Sequence, residues 1–491
     1  MLLVSAIKHK DFYKTDHRNQ YPKDTTKVYS NWTARISRIP GVDKVVVFGM
    51  QYFIQKYLLE EFQESFFEAE LDEVISDYRR RMDTSLGPNA VKVDHLIALH
   101  KLGYLPLVIK ALPEGTLAPL RIPIFTITNT LPEFSWLPNF LETLLSNALW
   151  HPMTSATIAF EYRKILELAA KETSDIPEFV KWQGHDFSMR GQSSLDSAMA
   201  SGAAHLLSFT GTDTIPAIDW LEYYYVASAA SEMIGGSVPA TEHSVMCLGG
   251  KETEYDTYKR LITEVYPSGI VSIVSDTWDY FKLLQTTILK LKPEIMARDG
   301  KVVIRPDSGD PYKIICGDED APPGSAEYRG TVEILWEIFG GTVNSKGYKQ
   351  LDPHIGCIYG DSITLDKCRQ IVEGLKRKKF ASTNMVFGIG SYTYQYVTRD
   401  TLGFAMKATY GEVGGQPREI FKDPVTDGGV KKSAKGLLRV NEDLTLSECV
   451  TPEEESTGLL QEVFRDGVMS SQEYLSQIRF RIDTEIKKLL N

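Results

Sequence analysis

Short apolar runs that end abruptly in polar residues recur through the middle of this 491-residue chain. The clearest is 302–310, in which Val302, Val303 and Ile304 predict a buried strand. The chain then breaks at a proline into a turn that carries an arginine and two aspartates. α/β enzymes present their chemistry in this way, at the rim of a sheet or barrel. Taken alone, the run is explained equally well by an ordinary strand-to-loop turn with surface charges.

Six further segments follow the same pattern, four of them closely and two loosely. The close ones are 205–209, 270–274, 355–359 and 385–387, and the loose ones are 179–182 and 237–238. Several are followed by stretches long enough for a helix, namely 220–233, 278–291 and 365–378. Strand, polar tip and helix in repetition predict a parallel barrel or a doubly wound sheet, with the tips gathered at one face where ligands bind.

Length, charge and cysteine usage restrict the class of protein. A chain of 491 residues is too long for one simple core, so we expect two domains. The net charge of -11 argues against a general nucleic-acid binder. Five scattered cysteines without metal-ligand spacing suit free thiols in a reducing cytoplasm. The apolar start is too short for a signal peptide and no run reaches membrane-spanning length, so we expect a soluble cytoplasmic protein without membrane partners.

The pattern also predicts the organisation of the chain. We expect an N-terminal α/β domain over 1–150, a catalytic α/β domain over 151–395, and a segment 396–491 that packs back on the first domain. Within the first domain, 53–66 predicts an amphipathic helix and 105–127 predicts β structure. The last helix is predicted to open with a capping box of Ser470 and Glu473. Its apolar stripe is Leu475, Ile478, Ile482, Ile486 and Leu489.

The predicted tips would collect four carboxylates beside two arginines. They are Asp213, Asp276, Asp307, Asp361, Arg190 and Arg305. Carboxylates at such a rim can bind ribose hydroxyls, hold Mg²⁺ or stabilise a cationic centre. Gly360, Gly388 and Gly390 would let backbone N–H groups approach a phosphate closely, although a short Gly-x-Gly turn is weak evidence by itself.

One histidine and two aromatic residues are further candidates. His243 is either a surface or capping histidine, or a nucleophile or acid/base positioned by Glu242 or Asp276. Tyr13 and Phe187 are aromatic residues among charged ones, which usually means half-buried surface groups. A pyridine or purine ring would need flat partners of this kind.

These motifs together resemble the nicotinamide phosphoribosyltransferase family, within the wider group of nicotinate and quinolinate phosphoribosyltransferases. The matching segments run in family order over nearly the whole chain: 11–22, 27–30, 185–190, 211–214, 237–244, 274–276, 304–309, 344–349, 360–361, 398–400 and 421–425. The resemblance implies an irregular parallel α/β barrel of the type II phosphoribosyltransferase kind, with a second α/β domain formed by the N-terminal region and the C-terminal tail. It also implies a reaction of NAD salvage, in which nicotinamide and phosphoribosyl diphosphate give nicotinamide mononucleotide and diphosphate.

The resemblance implies roles for the residues that contact the pyridine and the ribose. Phe187 and Tyr13 of the partner subunit in a homodimer would stack on the two faces of the pyridine ring. Asp213 would accept a hydrogen bond from the carboxamide, and a carboxylate at this place disfavours nicotinate through like charge. Arg305 and Asp307 would contact the ligand and the ribose. The residues close by are Asp276, Gly360, Asp361, Ser237 and Ser272.

The resemblance also implies the phosphate contacts. The 5′-phosphate would be held by Arg190, Gly390, Ser391, Arg399 of the partner subunit and Lys407 of the partner subunit. The diphosphate and ATP phosphates would meet Arg35, Lys422 and Lys431. His243 matches the phosphorylated histidine of the family, so ATP would be an optional co-substrate and Mg²⁺ a cofactor, with metal ligands unassigned.

Two departures and three alternatives stay open at this point. The turn 388–392 has fewer glycines than the family's phosphate loop. The basic loop around Lys431 is slightly longer than expected, so the phosphate contact assigned to Lys431 could instead belong to Lys432. The nearest alternative is a nicotinate phosphoribosyltransferase of the same fold. The other two are a binding or signalling protein that keeps the fold without activity, and a Mg²⁺-dependent barrel hydrolase built on the rim carboxylates.

Overall fold

The protein, analysed as a computed structural model, is described over residues 4–360, 362–422 and 433–491. It divides into two compact units. Unit 1 comprises Met1–Thr157, Leu221–Ala227 and Val397–Ile482, and unit 2 comprises Ile158–Trp220, Ser228–Tyr396 and Asp483–Asn491. The division at residues 150 and 395 stays a prediction. Among the described residues, no helix has both the length and the apolar character needed to cross a membrane.

The described residues form nineteen strands. They are β1 (Thr25–Thr33), β2 (Lys44–Val46), β3 (Leu107–Ala111), β4 (Leu117–Pro119), β5 (Pro123–Asn129), β6 (Gly184–Asp186), β7 (Gly211–Thr212), β8 (Val271–Val274), β9 (Val302–Arg305), β10 (Gly341–Val343), β11 (Lys349–Leu351), β12 (Ile355–Tyr359), β13 (Met385–Ile389), β14 (Ala405–Val413), β15 (Gln416–Glu419), β16 (Leu438–Val440), β17 (Leu446–Glu448), β18 (Gln461–Arg465) and β19 (Val468–Met469).

The same residues form twenty α-helices. They are α1 (His17–Gln20), α2 (Met50–Phe53), α3 (Leu71–Leu86), α4 (Asp94–Leu102), α5 (Leu137–Phe140), α6 (Glu142–Thr173), α7 (Val180–Gln183), α8 (Leu195–His205), α9 (Ile215–Tyr225), α10 (His243–Gly249), α11 (Glu254–Arg260), α12 (Tyr280–Leu283), α13 (Lys292–Met296), α14 (Pro311–Cys316), α15 (Ala326–Arg329), α16 (Thr331–Phe339), α17 (Leu365–Arg377), α18 (Ser391–Tyr394), α19 (Pro452–Glu455) and α20 (Leu475–Leu490).

Shorter helical turns of other types lie between these elements. The π-helical segments are Ile54–Glu61, Gln63–Phe67, Leu261–Val265 and Leu284–Ile288. The 3₁₀ segments are Ala6–Lys8, Phe12–Lys14, Pro132–Phe134, Pro177–Phe179, Met189–Gly191, Ser382–Asn384 and Arg399–Thr401. The helix predicted over 53–66 is therefore confirmed, as α2 continued by two π-helical segments.

Unit 2 is built on a parallel sheet with the strand order β7-β6-β13-β12-β9-β8. β8 and β12 are buried along their whole length, as expected of parallel strands that helices cover on the outside. The segment 236–240 joins the two edge strands, because Gly236 pairs with Gly211 of β7 and Ala240 pairs with Ser272 of β8. Backbone hydrogen bonds of 2.8–3.0 Å fix both junctions. The predicted irregular parallel α/β barrel is confirmed.

Several predicted elements of unit 2 are confirmed. Strands β8, β9, β12 and β13 match the predicted runs at 270–274, 302–304, 355–359 and 385–387. Helix α17 matches 365–378, and α12 with its π-helical continuation covers most of 278–291. The strand runs are short and apolar and end at turn residues, whereas 365–378 has the apolar period of an amphipathic helix.

Other predicted elements are wrong. The run 179–182 ends in α7 and the strand follows at Gly184–Asp186, while 205–209 begins at the last residue of α8 and the strand is only Gly211–Thr212. In both cases a helix end precedes a very short strand, and a short apolar run does not distinguish the two. Residues 237–238 lie between two isolated bridges, and the helix predicted over 220–233 ends at Tyr225.

Unit 1 contains a seven-stranded antiparallel sheet with the order β15-β14-β1-β5-β3-β18-β19. Three strands from the N-terminal part of the chain lie in the middle of it, with two strands from the C-terminal part on each side, which confirms that both regions form the second α/β domain. Trp32 at the centre stacks between Phe125 and Phe404, with ring centroids 6.0 and 5.4 Å away. Aromatic stacking of this kind adds to the area that the rings bury.

The capping box predicted for the last helix is wrong. Helix α20 begins at Leu475, and the Ser470 hydroxyl instead donates to Glu462 at 3.3 Å. Leu475, Ile478, Ile482 and Ile486 are buried as predicted, whereas Leu489 is exposed. A capping box forms earlier, where Thr451 and Glu454 open α19.

Unit 1 also encloses a carboxylate that the sequence does not single out. The side chain of Glu114 accepts hydrogen bonds from the backbone N–H of Gly49 (2.8 Å) and of Gln51 (2.7 Å) and from the hydroxyl of Tyr225 (2.8 Å). These bonds favour the ionised form, but complete burial outweighs them and raises the pKa of Glu114 to about 7. The carboxyl therefore changes charge near neutral pH.

We expect Glu114 to make the stability of unit 1 fall as pH rises from about 5 to about 8. The folded state holds this proton up to about pH 7, whereas the unfolded chain releases it near the ordinary pKa of 4.5, so the folded state is relatively weakened as pH rises. The difference corresponds to about 3 kcal/mol. In Glu114→Gln this slope should disappear from denaturant unfolding curves. Glu133→Gln, at an exposed glutamate of the same unit, should keep it, and identical pH profiles for wild type and Glu114→Gln would contradict the assignment.

Candidate active site

The carboxyl ends of the parallel strands in unit 2 meet at one rim of the barrel, as the parallel pairing requires. Functional candidates follow six of these ends directly. They are His185 to Phe187 at the end of β6, Asp213 after β7, Asp276 after β8, Arg305 and Asp307 at the end of β9, Gly360 after β12, and Gly390 with Ser391 after β13. The hydrogen bonds between them show which groups act as a unit.

Asp213 is held by partners from two other segments. Its Oδ1 atom lies 2.8 Å from His185 Nε2 and accepts a hydrogen bond from the Ser237 hydroxyl at 2.7 Å. Burial by itself raises the pKa of Asp213, but the bonds from His185 and Ser237 and the charge of Arg305 outweigh it, so the pKa is lowered. Asp213 is therefore an ionised hydrogen-bond acceptor at neutral pH.

Phe187 lies against a glycine that leaves room for its ring. The backbone N–H of Phe187 donates to Ile389 of β13, which fixes the position of the residue. A Cβ atom on Gly388 would lie 2.8 Å from the Phe187 ring, closer than side chains tolerate. The ring of His185 lies beside it, with centroids 4.6 Å apart. The arrangement leaves a flat aromatic wall close to Asp213.

His243 pairs with Asp276, one of the two carboxylates considered from the sequence. Its Nε2 atom lies 3.1 Å from Asp276 Oδ1, while Glu242 accepts from the hydroxyl of Ser244 instead. The other oxygen of Asp276 accepts from the backbone N–H of Asp307 (2.9 Å) and from the hydroxyl of Ser308 (2.6 Å).

The two members of this pair differ in exposure. Burial alone raises the pKa of Asp276, but the hydrogen bonds from Ser308, Asp307 and His243 bring it below the ordinary value. The side chain of Asp276 is 5% exposed and that of His243 is 47% exposed. A buried carboxylate thus orients an accessible imidazole, which is the arrangement of an activated histidine.

Arg305 has unused hydrogen-bonding capacity. Its Nη2 donates to the backbone carbonyl of Thr241 at 3.0 Å, whereas its buried Nε–H has no partner among the described residues. Asp307 lies beside it, because a Cβ atom on Gly360 would fall 2.2 Å from Asp307 Oδ1 and 3.7 Å from Arg305 Cδ. Gly360 therefore gives room for a guanidinium and a carboxylate at adjacent strand ends, which suits an anionic or hydroxyl-rich ligand.

A cavity of about 420 Å³ opens inside unit 2 next to these groups. Asp213, Ser237 and Ser272 line it together with apolar side chains, among them Phe179, Trp182, Phe187, Val238 and Ile355. The buried Ser272 hydroxyl has no hydrogen-bond partner among the described residues. An apolar cavity with a few placed polar groups is typical of a site for a small flat molecule.

Arg190 and the turn at Gly390 lie next to one another. A Cβ atom on Gly191 would fall 2.0 Å from the Ser391 hydroxyl, so the two loops touch. The backbone N–H of Ser193 also donates to the side chain of Gln395 at 3.0 Å. The structure thus brings Arg190, Gly390 and Ser391 together, as a shared phosphate contact requires.

Unit 1 places its candidate aromatic residue at the surface. Tyr13 is 62% exposed and stands in a 3₁₀ turn, with its ring edge-on to His17 at 5.3 Å. The neighbouring Lys14 is buried and forms an ion pair with Glu142. The tyrosine ring is therefore presented to solvent in the single chain.

The basic candidates of unit 1 form a cluster around Lys407. Burial lowers the pKa of Lys407, Glu142 opposes that shift, and the charges of Arg35, Lys14 and Lys422 add to it. Lys407 stands on β14, and Arg35 donates to the carbonyl of Gly403 at 2.9 Å. Four cations around one acidic residue favour an anion such as phosphate. Arg399 lies in a separate exposed 3₁₀ turn and pairs with Asp400 at 3.0 Å.

Two predicted site residues, Asp361 and Lys431, lie outside the described residues. Two residues that the structure adds are His185 and Ser308, the partners of Asp213 and Asp276. His185 is two positions before Phe187, so strand alternation places both on one face and could have identified it. Ser308 stands inside the polar turn after β9 and had no separate signal.

Comparison with known families gives two matches. Residues 182–468 match the nicotinate phosphoribosyltransferase (NAPRTase) family, and residues 5–107 match the N-terminal domain of nicotinamide phosphoribosyltransferase. The chain is also 54% identical to the nicotinamide phosphoribosyltransferase of Acinetobacter baylyi, over 99% of this chain and 98% of the relative. It is 34% identical to the protein of the same name from Xanthomonas campestris, over 98% of each chain.

Solved structures share the fold at much lower identity. The nicotinate-nucleotide pyrophosphorylase of Pyrococcus furiosus superposes with a TM-score of 0.56 at 15% identity, covering 99% of this chain and 96% of the other. The human nicotinic acid phosphoribosyltransferase gives a TM-score of 0.53 at 14% identity, covering 98% and 94%. At these identities the likeness establishes the fold alone.

Proposed function

Because this chain belongs to the nicotinate phosphoribosyltransferase family, and within it to the nicotinamide phosphoribosyltransferases, we propose that unit 2 is the catalytic unit for making nicotinamide mononucleotide. The enzyme is a pentosyltransferase of NAD salvage that joins nicotinamide to the ribosyl group of phosphoribosyl diphosphate. The observation that carries the assignment of the site is the ionised Asp213 beside Phe187 at the mouth of an apolar cavity.

Asp213 and Phe187 recognise the pyridine. The ring lies on Phe187, and the carboxamide N–H₂ donates to the carboxylate of Asp213. Nicotinate would bring a second carboxylate to the same place, where like charges repel. This polarity supports nicotinamide as the substrate over nicotinate.

Arg305, Asp307 and Asp276 act on the sugar. The pyridine nitrogen forms a bond to the anomeric carbon as the bond to the diphosphate oxygen breaks, and the diphosphate leaves with the electron pair. Positive charge develops on the ribosyl group, so the carboxylates of Asp276 and Asp307 stabilise the transition state. The Nε–H of Arg305, which is buried without a partner among the described residues, would be satisfied by an oxygen of the ligand.

His243 is the site of phosphate transfer from ATP. Its Nε2 is assigned as the protonated nitrogen because it faces the carboxylate of Asp276, which leaves the lone pair on Nδ1. Nδ1 attacks the γ-phosphorus of ATP, and a nitrogen–phosphorus bond forms as the bond to the β–γ bridging oxygen breaks and ADP leaves with the electron pair. Water then attacks the phosphohistidine, which releases phosphate and restores the imidazole. The added charge lies at the rim that binds diphosphate, so ATP hydrolysis assists the transfer without being part of its stoichiometry.

Mg²⁺ fits this site as an ion that arrives with its phosphates. The described residues contain no group of three or more His, Cys, Asp or Glu side chains placed to hold a metal. Mg²⁺ often uses only one or two carboxylates beside substrate phosphates and water. Asp276 is less suited to that role, because its oxygens already accept three hydrogen bonds. When bound, the ion neutralises charge on the leaving diphosphate.

The enzyme is proposed to work as a homodimer with shared sites in the cytoplasm. Tyr13 is exposed in the single chain and available to a second copy. In the dimer, Tyr13 of the partner subunit stacks on the free face of the pyridine. Arg399 of the partner subunit and the partner's Lys407 join Arg190, Gly390 and Ser391 at the 5′-phosphate. Arg35 and Lys422 serve the diphosphate and ATP phosphates. The five cysteines form no disulfide, which suits a reducing compartment.

Shared sites predict complementation between two inactive variants. Tyr13→Ala and Phe187→Ala should each lose most activity, because each removes one stacking face of the same pyridine site. Mixed subunits allowed to exchange form half of their dimers as heterodimers, in which one of the two sites has both aromatic residues, so up to about a quarter of wild-type activity should return. Phe12→Ala by itself serves as a control and should keep its activity, because Phe12 is the other exposed aromatic residue of that turn. A fully active monomer would refute the proposal.

Product identification tests the proposed function most directly. Purified protein is incubated with phosphoribosyl diphosphate and either nicotinamide or nicotinate, with and without ATP. We expect nicotinamide mononucleotide as the main product and a faster reaction with ATP. Equal or better turnover of nicotinate would overturn the substrate assignment, and release of diphosphate from phosphoribosyl diphosphate without a pyridine nucleotide would indicate a hydrolase.

A further inference from the structure

Asp213 has an asymmetric environment that the proposed function does not by itself require. Its Oδ1 atom accepts from two side chains, His185 Nε2 at 2.8 Å and Ser237 Oγ at 2.7 Å. Its Oδ2 atom has no hydrogen-bond partner among the described residues, although Asp213 lines the cavity. A carboxylate oxygen offers about two lone-pair positions, so Oδ1 is saturated and Oδ2 is left for a ligand.

The ring of His185 is fixed by the barrel wall. His185 on β6 is the parallel partner of Gly211 on β7, and a Cβ atom on Gly211 would lie 2.7 Å from His185 Nδ1. The ring therefore lies directly on the α-carbon of a glycine, with Phe187 packed beside it. Packing of this kind holds Nε2 in one place, so His185 imposes an orientation on Asp213.

The neighbouring residue, Asp186, has its own set of hydrogen bonds. The contact between His185 and Asp213 is therefore separate from the bonds that stabilise the strand end. Asp186 points to the other face, as strand alternation requires, and is completely buried. It accepts from the hydroxyl of Thr214 at 2.7 Å and the backbone N–H of Ser188 at 2.9 Å. Asp186 thus stabilises the strand end, whereas His185 and Ser237 use their donors on the carboxylate that faces the cavity.

We propose that His185, supported by Ser237, is a specificity-determining positioning residue. It occupies one oxygen of Asp213 and directs the other toward the substrate amide. This inference rests on the proposed function. Without the His185 donor the carboxylate can rotate, and it is stabilised less in its ionised form. A protonated or reoriented Asp213 accepts a hydrogen bond from the amide poorly and repels the carboxylate of nicotinate less. The preference for nicotinamide over nicotinate therefore falls.

The test compares two substitutions at position 185 in the full-length enzyme. His185→Phe keeps a ring of similar size without a donor, and His185→Gln places an amide N–H near the position of Nε2. We expect His185→Phe to raise KM for nicotinamide about tenfold with kcat changed less than threefold. It should also lower the ratio of kcat/KM for nicotinamide to that for nicotinate about tenfold. His185→Gln should restore most of both values.

A double-substitution cycle separates positioning from a general structural role. If His185 acts through Asp213, His185→Phe changes the amide-to-acid ratio in wild type but not in an Asp213→Asn background. The inference would be overturned if His185→Phe changed the amide-to-acid ratio equally in both backgrounds. It would also be overturned if active His185→Phe and Ser237→Ala enzymes kept the wild-type ratio. Ser237→Ala removes the second donor on the same oxygen and gives the same answer if His185→Phe does not fold.

The outcomes distinguish this inference from the proposed function. If the wild-type enzyme forms no nicotinamide mononucleotide, the function itself is wrong and the inference falls with it. If wild type prefers nicotinamide and the ratio does not respond to His185 or Ser237, only the inference is wrong.

Discussion

Asp213→Asn is expected to lower the preference for nicotinamide over nicotinate by about 100-fold, measured as the ratio of the two kcat/KM values. The wild-type carboxylate accepts from the amide N–H₂ and repels the acid, and like charges brought together cost several kcal/mol in general. Asparagine keeps the shape of the side chain but loses the charge, and its own N–H₂ can donate to a nicotinate carboxylate. The fall in preference should therefore come mainly from improved turnover of nicotinate.

The control for this prediction is Asp219→Asn. Asp219 is an exposed residue of α9, six positions after Asp213, and the same chemical change there should leave the ratio at its wild-type value. An Asp213→Asn enzyme that still prefers nicotinamide as strongly as wild type would show that selectivity resides elsewhere in the cavity.

His243→Ala is expected to abolish ATP hydrolysis, with a loss of about 1,000-fold or more, while slow transfer without ATP persists. The substitution removes the imidazole that Asp276 orients at this rim, and a nucleophile has no substitute in the transfer of the γ-phosphate. The measurements are release of ADP, incorporation of acid-labile phosphate into the protein, and formation of nicotinamide mononucleotide with and without ATP. Full ATPase activity in the variant would refute the phosphohistidine.

A matched control for His243 exists in the same unit. His354 also pairs with an aspartate, because its Nδ1 lies 2.7 Å from Asp352 Oδ1. His354→Ala therefore removes a histidine–aspartate pair outside the candidate site and should keep ATP hydrolysis.

Asp276→Asn should slow phosphate transfer less than His243→Ala, since it removes the group that orients the histidine and leaves the nucleophile itself.

The sequence predicted the parts of the fold that depend on local pattern. The runs at 270–274, 302–304 and 355–359 are short, apolar and bounded by turn residues, and each forms a strand of the parallel sheet. Their polar ends contain Asp276, Arg305 and Asp307, which the structure brings together as predicted. The order of these motifs along the chain also identified the family correctly. The roles of the individual site residues stay predictions.

Contacts between distant segments could not be derived from local pattern. The chain does not reveal that 236–240 closes the barrel, because each of its two bridges pairs one residue with a strand far away in sequence. Nor does it reveal that His243 pairs with Asp276 rather than with the adjacent Glu242, or that His185 reaches Asp213. Residue type and period determined which segments become strands and which groups stand at their ends. Only the packed barrel decided which of those groups touch, because hydrogen bonds depend on distances that the register of neighbouring strands sets.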